Sequence, residues 1–336
     1  MHVEFSSSIR EIDPADWDAV VRRAGAPVFY QHAYVSAYER LPLTEVDAFA
    51  YFVVRDADRA VAVAPAYLQT AAKPLRRLHE AYPEAAGQPA LLSPSWHCYD
   101  AHVPATADVL PRLLDTMNRT ASILGARWCG FMNVQRGGAL SHGLRAAGLP
   151  ARHLNDRWVT GLTTYAHYLA SLSPRARANL RRNERRAREA GVTSEVLPVH
   201  LASLDEITLL CVKTASRFEN NGYHPGTTFP RFVTALDDLA HVIEVRQRGR
   251  LVAAGVCLTD ATRFHTWTCG VDYAVEGGYS PFAVLFAESV KLAIRLGKSI
   301  LEDGRDNAAF KRRHGLRPCH LDAVLHRVWP AGCSPP

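Results

Sequence analysis

A polar segment at residues 303–315 carries the side chains best suited to chemistry in this chain of 336 residues. Lys311 lies in it next to the aromatic Phe310 and among the basic side chains Arg305, Arg312 and Arg313. A cluster of lysine and arginine can neutralise negative charge that develops on a nearby oxygen during a reaction. The segment therefore predicts a site that stabilises developing charge, with a solvated surface loop as the alternative.

A glycine-containing loop and a predicted helix precede this segment. Gly277 and Gly278 are followed by Tyr279, by Ser280 in the N-cap position and by a proline at the first helical position. The unpaired N–H groups of a helix N-terminus form a favourable site for an anion. The loop predicts either a phosphate cradle or a structural turn, and the pattern alone does not separate the two.

A second basic feature is the predicted helix at 173–190. Its apolar residues fall on one narrow stripe, formed by Ala176, Leu180, Ala187 and Ala190. Arginines flank the stripe on both sides, namely Arg175, Arg177, Arg181, Arg182, Arg185, Arg186 and Arg188. A solvated surface helix usually mixes both signs of charge, whereas here only two glutamates offset the arginines. We interpret this helix as one that faces an anion, such as an RNA backbone, a phosphorylated donor or an acidic substrate.

Composition indicates an ordinary soluble globular protein of two domains. Hydrophobic residues make up 48% of the chain and charged residues 21%. No apolar run reaches the roughly 20 residues needed to cross a bilayer, and the N-terminus lacks a signal-peptide pattern. The seven cysteines are scattered without a CxxC pair, so we expect reduced thiols, a cytoplasmic location and no bound metal. The formal net charge of +6 is compatible with a polyanionic partner but does not require one.

The two halves of the chain repeat the same order of predicted elements, which is helix, helix, hairpin, helix, strand. Tandem duplication of one α/β domain is the economical interpretation, and two unrelated α/β stretches are the alternative. We place the domains at 1–152 and 153–330, followed by a tail at 331–336. Other predicted helices lie at 14–25, 31–41, 111–124, 165–171, 204–218, 229–237 and 281–297. Predicted strands lie at 48–55, 60–69, 128–134, 158–162, 241–246, 251–258, 264–270, 299–302 and 321–328, and we expect 73–95 to be irregular.

Aromatic and polar side chains gather in two further places. The loop at 95–100 contains Trp96 and Tyr99, and the second half contributes Tyr223, His265 and Trp267. These residues predict the lining of an acceptor pocket, and the alternative is a buried aromatic corner. No GxSxG, HExxH, Walker or early GxGxxG motif occurs in the chain, which argues against a hydrolase, a zinc protease, an NTPase and a Rossmann enzyme.

Three stretches resemble the FemAB-like acyltransferases of the GNAT superfamily. Residues 173–186 (SPRARANLRRNERR) are similar to the arginine-rich helix of that family. Ser280-Pro281, the helix after it and the run at 305–315 match its C-terminal pattern, which ends in aromatic, lysine, two basic residues, aromatic and glycine. In the first half, Asp16-Trp17 and residues 65–68 (PAYL) resemble the N-terminal lobe.

The resemblance implies an α/β fold with two tandem GNAT-like domains, each a mixed, mostly antiparallel sheet flanked by helices. It also implies transfer of an acyl group to an amine. Peptidoglycan-branching members of the family take this group from aminoacyl-tRNA, and in them a lysine matching Lys311 is assigned to stabilise the transition state at the ester. Other members are assigned acyl-CoA as the donor.

This chain departs from the family in two respects. It lacks the long coiled-coil arm of the peptidoglycan-branching enzymes beside the arginine-rich helix, which argues against a cell-wall acceptor. It also has Glu276 and Tyr279 where the pyrophosphate motif of CoA-using GNAT enzymes would stand. An acidic residue there would repel a pyrophosphate, which argues against CoA.

We therefore predict an aminoacyltransferase that needs no bound cofactor. It forms an amide from aminoacyl-tRNA and the amine of a small-molecule or peptidyl acceptor, in natural-product or cell-wall biosynthesis. Lys311 is predicted to stabilise the oxyanion, and Asp303, or less readily Tyr279, to take the proton of the amine. The alternatives are an acyl-CoA-dependent N-acyltransferase and a non-catalytic module that binds an anionic glycan or RNA.

The predicted aminoacyltransferase function also assigns donor-binding and acceptor-binding residues. Those predicted to bind the donor are Arg177, Arg181, Arg185, Gly277, Gly278, Ser280, Arg305, Phe310, Arg312 and Arg313. Those predicted to bind the acceptor, between the two domains, are Trp96, Tyr99, Tyr223, His265 and Trp267.

Overall fold

The computed structural model describes residues 1–70, 75–104, 106–218 and 222–329. The chain forms two compact units: the first contains Met1–Asp156 and the segment from Cys319 onward, and the second is Arg157–Pro318. The predicted tail at 331–336 and part of the stretch predicted as irregular lie outside the described residues. Within the described ranges, no helix is both long and apolar enough to cross a membrane.

The first unit begins with five strands and five helices. The strands are β1 (His2–Ser6), β2 (Ala48–Asp56), β3 (Arg59–Gln69), β4 (Ala90–Ser93) and β5 (Trp128–Gln135). The helices are α1 (Pro14–Ala24), α2 (His32–Arg40), α3 (Arg76–Ala81), α4 (Leu110–Ile123) and α5 (Ala139–Ala146).

The second unit is built from the elements that follow. Its strands are β6 (Arg152–Gly161), β7 (Val192–Pro198), β8 (Ala240–Gln247), β9 (Arg250–Thr259), β10 (Arg263–Val271) and β11 (Ile300–Glu302). The residues of β6 up to Asp156 still belong to the first unit. Its helices are α6 (Tyr165–Ser171), α7 (Pro174–Glu189), α8 (Leu204–Arg217), α9 (Thr228–Leu236), α10 (Pro281–Arg295) and α11 (Ala308–Arg313). The last strand of the chain is β12 (Arg317–Arg327).

The sheets of the two units follow the same pairing pattern. The strand order is β1-β2-β3-β4-β5-β12 in the first unit and β7-β8-β9-β10-β11-β6 in the second. In each sheet the fourth and fifth strands are parallel, and the other neighbouring pairs are antiparallel. The prediction of two tandem α/β domains with mixed, mostly antiparallel sheets is confirmed.

The sixth strand of each sheet comes from an unexpected part of the chain. β6 follows β5 in sequence but pairs with β11, whereas β12 follows β11 and pairs with β5. The prediction that 153–330 forms the second domain therefore differs from the structure, because β12 belongs to the first unit. Pairing between strands that are far apart in sequence is determined by tertiary contacts, and the local sequence pattern of a strand does not reveal them.

Most predicted elements are present, with ends shifted by one to a few residues. The helix predicted at 173–190 is α7, and Oγ of its N-cap, Ser173, accepts a hydrogen bond from the Ala176 N–H. The sequence missed β1, α3, β4, β7 and α11. α3, β4 and α11 are too short for a periodic pattern to develop, and all four residues of β4 are buried, so it shows no polar alternation.

α10 is the central helix of the second unit. It is apolar on nearly all sides, and its buried residues include Ala283, Val284, Leu285, Phe286, Ala287 and Val290. Such a helix lies inside a domain and not on its surface. α7 packs against the same core through the predicted stripe, in which Ala176, Leu180 and Ala187 are at most 3% exposed. This packing leaves the arginines of α7 on the outside.

We expect Gly270→Ala to destabilise the protein by about 1–3 kcal/mol, the usual cost of overpacking. A Cβ at this position in β10 would lie 2.6 Å from the Cys211 backbone nitrogen and 2.6 Å from the Leu210 carbonyl carbon in α8. Both are main-chain atoms, so no side-chain rotation relieves the contact. Gly161→Ala, in β6, is the matched control, because no atom lies within 4 Å of the added Cβ. Equal stabilities of the two variants in urea unfolding would contradict this close approach.

Candidate functional site

Lys311 and Asp303 form an ion pair at the end of β11. Asp303 directly follows that strand, and α11 brings Lys311 back to it. Nζ of Lys311 lies 3.8 Å from Oδ2 of Asp303 and donates a hydrogen bond to the Asp303 backbone carbonyl. Both residues are buried, with exposed fractions of 4% and 8%. The structure thus brings together two of the three residues predicted to be catalytic, the third being Tyr279.

The turn before α11 and the packing of α11 fix the position of Lys311. Asn307 begins the helix with a φ of 62°, a left-handed conformation that asparagine tolerates better than most residues. The ring of Phe310 packs against Phe282 and Phe286 of α10, with ring centroids 4.7 and 5.3 Å apart. Phe310, predicted to bind the donor, thus anchors the short helix that carries Lys311.

Two buried polar atoms beside this pair have no hydrogen-bond partner among the described residues. They are Oδ2 of Asp303 and Nε2 of His314. The other carboxylate oxygen of Asp303 accepts a hydrogen bond from Oγ1 of Thr266, and Nδ1 of His314 lies 2.8 Å from the Phe310 carbonyl oxygen. Leaving a buried polar atom unpaired costs free energy, so such atoms call for an explanation, and a bound ligand or water is a common one. Oδ2 of Asp303 is therefore placed to accept a hydrogen from a ligand.

Burial shifts both members of the pair toward their neutral forms. It raises the pKa of Asp303, and the charge of Lys311 and the hydrogen bond from Thr266 offset this only in part. It also lowers the pKa of Lys311, against the opposing effect of Asp303. A carboxylate with a raised pKa is a better proton acceptor in the neutral range, so the environment suits a general base.

Four charged side chains occupy the other face of β10 and β11. Consecutive strand residues point to opposite faces, so His265 lies opposite to its neighbour Thr266. Glu302 accepts a hydrogen bond of 2.6 Å from Nη1 of Arg157, and its other oxygen lies 3.2 Å from Nδ1 of His265. Nε2 of His265 lies 3.0 Å from Oδ2 of Asp260. We call Arg157, Glu302, His265 and Asp260 the buried charge network.

His265 is an imidazolium held between two carboxylates. Both ring nitrogens face carboxylate oxygens, which only accept hydrogen bonds, so both nitrogens must carry a hydrogen. Burial by itself lowers the pKa of His265, but Glu302 and Asp260 together raise it above the usual value. Because His265 is fully buried with both nitrogens engaged, the geometry favours a structural role over the predicted contact with an acceptor.

The glycine loop before α10 is closed by a side chain from α7. Oδ1 of Asn183 accepts a hydrogen bond of 2.7 Å from the Ser280 N–H. Oγ of Ser280 in turn accepts from the Ala283 N–H, at 3.3 Å, and Pro281 has no N–H to offer. The N–H groups that an anion would need at positions 280 and 283 therefore already bind protein oxygens. This arrangement fits the structural turn better than the phosphate cradle.

Tyr279 and the two glycines belong to the same closed loop. Gly277 has a φ of 132°, and a Cβ there would lie 2.9 Å from the Tyr279 ring. The carbonyl oxygen of Gly278 accepts a hydrogen bond of 2.8 Å from Nη1 of Arg186. The Tyr279 hydroxyl donates to Oε1 of Gln247 at 3.2 Å, and burial raises its pKa. An engaged phenol with a raised pKa is a poor base, so the structure favours the carboxylate in that role.

The arginines of α7 line an open groove with a volume of about 1250 Å³. We call it the basic groove, and its other walls come from β7, α10 and α11. Its basic residues are Arg175, Arg181, Arg182, Arg185, Arg188, Lys291 and Arg313. The glutamates in the lining, Glu184 and Glu288, both pair with Lys291, at 2.6 and 2.9 Å. The arginines thus give the groove a strong excess of positive charge.

The basic groove and the ion pair lie on different sides of α11. Neither Lys311 nor Asp303 is among the described residues that line the groove. Arg313 lines it and lies two positions after Lys311, a rotation of about 200° on a helix. The two side chains therefore point in nearly opposite directions from one short helix.

Three of the arginines predicted to bind the donor lie outside the described lining of the groove. Arg177 donates at 3.4 Å to two carbonyl oxygens of α6. The guanidinium of Arg312 stacks on the Trp158 ring, 4.9 Å from its centroid. The backbone carbonyl of Arg305 accepts a hydrogen bond of 3.1 Å from the Trp158 indole. These contacts fasten α7, α11 and the turn before α11 to the rest of the second unit.

The predicted acceptor-binding aromatics are divided between the two units. Trp96 and Tyr99 lie in the first unit and are only 5% and 4% exposed. Trp267 packs between residues of α9 in the second unit, 5.9 Å from the Phe229 ring, and is 3% exposed. Tyr223 is half-buried against the neighbouring ring of His224. Such burial resembles the aromatic corner that was the alternative interpretation.

Sequence reasoning missed Thr266, Asn183 and Arg157. Asn183 had a usable signal, because it falls on the buried stripe of α7, where a polar side chain needs a partner. Thr266 could have been noted as the strand neighbour of His265. Arg157 gave no signal, since a lone arginine at the start of a strand is usually a surface residue.

Residues 174–312 match the sequence profile of a family described as an acetyltransferase (GNAT) domain. No curated protein matches the chain. Several solved structures share its fold. FemX is 11% identical with a TM-score of 0.67 over 96% of each chain. The C-terminal domain of a putative lysylphosphatidylglycerol synthetase from Agrobacterium fabrum is 14% identical with a TM-score of 0.60, over 95% of this chain and 92% of that one. A tandem GNAT protein from the clavulanic acid biosynthesis pathway is 13% identical with a TM-score of 0.53, over 98% and 99%.

These comparisons confirm the GNAT fold and the enzyme class. The matched profile covers most of the second unit, from the start of α7 to the residue after Lys311. The likeness to the tandem GNAT protein extends over both units. The fold is therefore that of tandem GNAT proteins, residues 174–312 match the GNAT acetyltransferase profile, and the protein is an acyltransferase.

We expect Glu302→Gln to lower the free energy of unfolding by about 3–5 kcal/mol at neutral pH, because Arg157 and His265 lose their shared carboxylate. Burial raises the pKa of Glu302, but Arg157 and His265 bring it down from 4.5 to about 2. A depressed pKa stabilises the fold above pH 4.5, and this contribution is lost as the pH falls toward 2. The difference between variant and wild type should therefore shrink over that interval.

Urea unfolding at a series of pH values measures this difference. Glu195→Gln is the matched control, since Glu195 is an exposed glutamate on β7. A destabilisation by Glu302→Gln that stays constant from pH 7 to pH 2 would show that Glu302 is not held as a carboxylate by its neighbours.

Proposed function

We propose that the protein is a FemAB-like aminoacyltransferase, which transfers an aminoacyl group from aminoacyl-tRNA to the amine of a small-molecule or peptidyl acceptor. The observation that carries the proposal is the buried pair of Lys311 and Asp303. Oδ2 of Asp303 has no hydrogen-bond partner among the described residues, and the ammonium of Lys311 lies 3.8 Å from it. A proton acceptor and a cation are thus available at one buried point, which is what attack by an amine on an ester requires.

In the proposed reaction the free amine attacks the carbonyl carbon of the aminoacyl ester. As the C–N bond forms, Asp303 takes a proton from the nitrogen, and Lys311 stabilises the negative charge on the carbonyl oxygen. The bond between the carbonyl carbon and the ribose oxygen then breaks, and this oxygen leaves with the proton from Asp303. The products are the amide and a tRNA with a free terminal hydroxyl, and Asp303 is again a carboxylate.

Two features support aminoacyl-tRNA as the donor. The basic groove offers an extended row of arginines, which suits a phosphodiester backbone better than a single small anion. The loop before α10, in contrast, uses the N–H groups at positions 280 and 283 for bonds to Asn183 and Ser280. Those groups would have to be released before they could bind the pyrophosphate of CoA.

Acyl-CoA is the alternative donor, and one observation favours it. The family whose profile matches residues 174–312 is described as an acetyltransferase. In that case the loop before α10 would open on binding, with Asn183 giving up its bond to the Ser280 N–H.

A transfer assay distinguishes the two donors and tests the ion pair. We expect the protein to consume the ester of charged total tRNA in the presence of a panel of amines, and RNase to abolish this activity. Lys311→Ala and Asp303→Asn should each lower kcat by about 10²–10³, because each removes a group that acts in the transition state. Lys213→Ala, which changes an exposed lysine of α8, is the control.

Two results would decide against parts of this proposal. Consumption of acetyl-CoA without loss of the tRNA ester would identify the acyl-CoA-dependent alternative. Full activity of Lys311→Ala or Asp303→Asn would remove the ion pair from the mechanism. Circular dichroism of each variant separates a loss of catalysis from a loss of fold.

We also expect the basic groove to set the salt dependence of tRNA binding. Each arginine that contacts a phosphate contributes about 0.7–0.9 to the slope of log K against log salt. The double variant Arg181→Ala/Arg185→Ala should therefore reduce that slope by about 1.4–1.8. The control is Arg112→Ala/Arg119→Ala, which removes two exposed arginines from α4 in the first unit. Equal slopes for the two double variants, measured by filter binding, would show that the RNA does not lie in the groove.

A further inference from the structure

Three side chains of the first unit converge on one point at the protein surface. His153 and Asp156 come from β6, and His320 comes from β12. Oδ1 of Asp156 lies 2.7 Å from Nδ1 of His320 and 3.8 Å from Nε2 of His153. One donor atom from each of the three residues lies within 4.8 Å of the other two.

These distances are close to those of a metal-binding site. In a tetrahedral zinc site with bonds of about 2.05 Å, neighbouring donor atoms are about 3.3 Å apart. The two separations to Asp156 fall on either side of that value. The donor atoms of the two histidines lie within 4.8 Å of each other, so side-chain rotations would have to bring them closer together. Two imidazoles and one carboxylate suit borderline divalent ions such as Zn²⁺, and with water in the fourth position they complete the shell.

The surroundings of His153 add a second observation. Its other ring nitrogen, Nδ1, lies 3.4 Å from Nη2 of Arg136, from which it accepts a hydrogen bond, and 4.0 Å from Oδ1 of Asp322. Asp322 is itself held by Arg136, which donates from Nε to Oδ2 at 3.0 Å. When Nε2 binds a metal, Nδ1 carries the hydrogen, so Nδ1 would turn from Arg136 to the nearby Asp322 carboxylate, the usual kind of outer partner of a metal-binding imidazole. The charges of Asp322 and Arg136 offset each other. When both imidazoles are neutral, the carboxylate of Asp156 therefore gives the cluster a net charge of about −1.

The geometry points to a site for one borderline divalent metal ion, formed by His153, Asp156 and His320. The sequence predicts no bound metal because the cysteines form no CxxC pair, whereas this donor set uses no sulfur. His153 and His320 are about half exposed, at 51% and 53%, so an ion can enter directly from solvent. The site belongs to the first unit, whereas the groups assigned to acyl transfer belong to the second.

Its place in the chain suggests what the ion does. Asp156 is the last residue before the chain leaves the first unit, and His320 is the second residue after it returns. A bound ion would therefore join the outgoing and returning strands. Because a ligand that binds only the folded state stabilises it by mass action, the metal should raise the midpoint of thermal unfolding.

Isothermal titration calorimetry of the untagged, metal-free full-length protein with ZnCl₂ tests this site. We expect one Zn²⁺ per chain. His153→Ala, His320→Ala and Asp156→Asn should each weaken binding at least about tenfold, since even the loss of an outer-shell partner costs about 10- to 100-fold. Zn²⁺ should raise the unfolding midpoint of the wild type and not that of these variants.

Two matched controls locate the ion. His167→Ala removes an exposed histidine of α6 and should leave binding unchanged. Cys319→Ser should also leave it unchanged, because successive strand residues point to opposite faces and Cys319 therefore faces away from its neighbour His320. With Co²⁺ as an optical probe, a sulfur-to-metal charge-transfer band would assign the ion to a thiol and overturn the proposal. Absence of saturable Zn²⁺ binding, or binding unaffected by the three site variants, would overturn it as well.

Discussion

The parallel pairing of β10 with β11 is the constraint on which the second unit depends. Its register sets His265 beside Glu302 on one face and Thr266 beside Asp303 on the other. A slip of one residue would exchange these faces and turn Glu302 toward Lys311. Moving ions out of water into the buried charge network is costly, and replacing such groups by apolar ones is often neutral or stabilising. The network is therefore better understood as a device that specifies register than as a source of stability.

α7 is a stable helix although its exposed face carries many like charges. Like charges at neighbouring helical positions weaken a helix, so the arginines of α7 do not account for its formation. The helix is held by its buried stripe, by the cap at Ser173 and by Asn183, which ties it to the loop before α10. Because packing carries the stability, the outer face can concentrate positive charge. The same helix thereby closes the loop before α10 and lines the basic groove.

The sequence was sufficient to predict the elements with long periodic patterns. It was also sufficient to group Lys311 with Asp303, because these two residues lie in one short segment. α7 and α10 follow from their caps and apolar spacing. The buried charge network could not be predicted, because Arg157, Asp260 and Glu302 are far apart in the chain and each alone resembles a surface residue. The loop before α10 shows the same limit: Ser280 and the glycines fit an anion site, and only Asn183, from a distant helix, closes it. Partners brought in by tertiary contacts decide what a local motif does.

In both units, one strand of the sheet pairs with a strand that is distant in sequence. β5 pairs with β12, and β11 pairs with β6. During synthesis, β5 emerges before the whole second unit, whereas β12 emerges only after nearly all of that unit has been made. At about 5–20 residues per second, the nascent β5 would spend on the order of ten to forty seconds as an unpaired edge. Unpaired edges invite pairing with other chains. The order of translation thus exposes a surface that the finished protein hides, and separating the gene into two halves would make that exposure permanent.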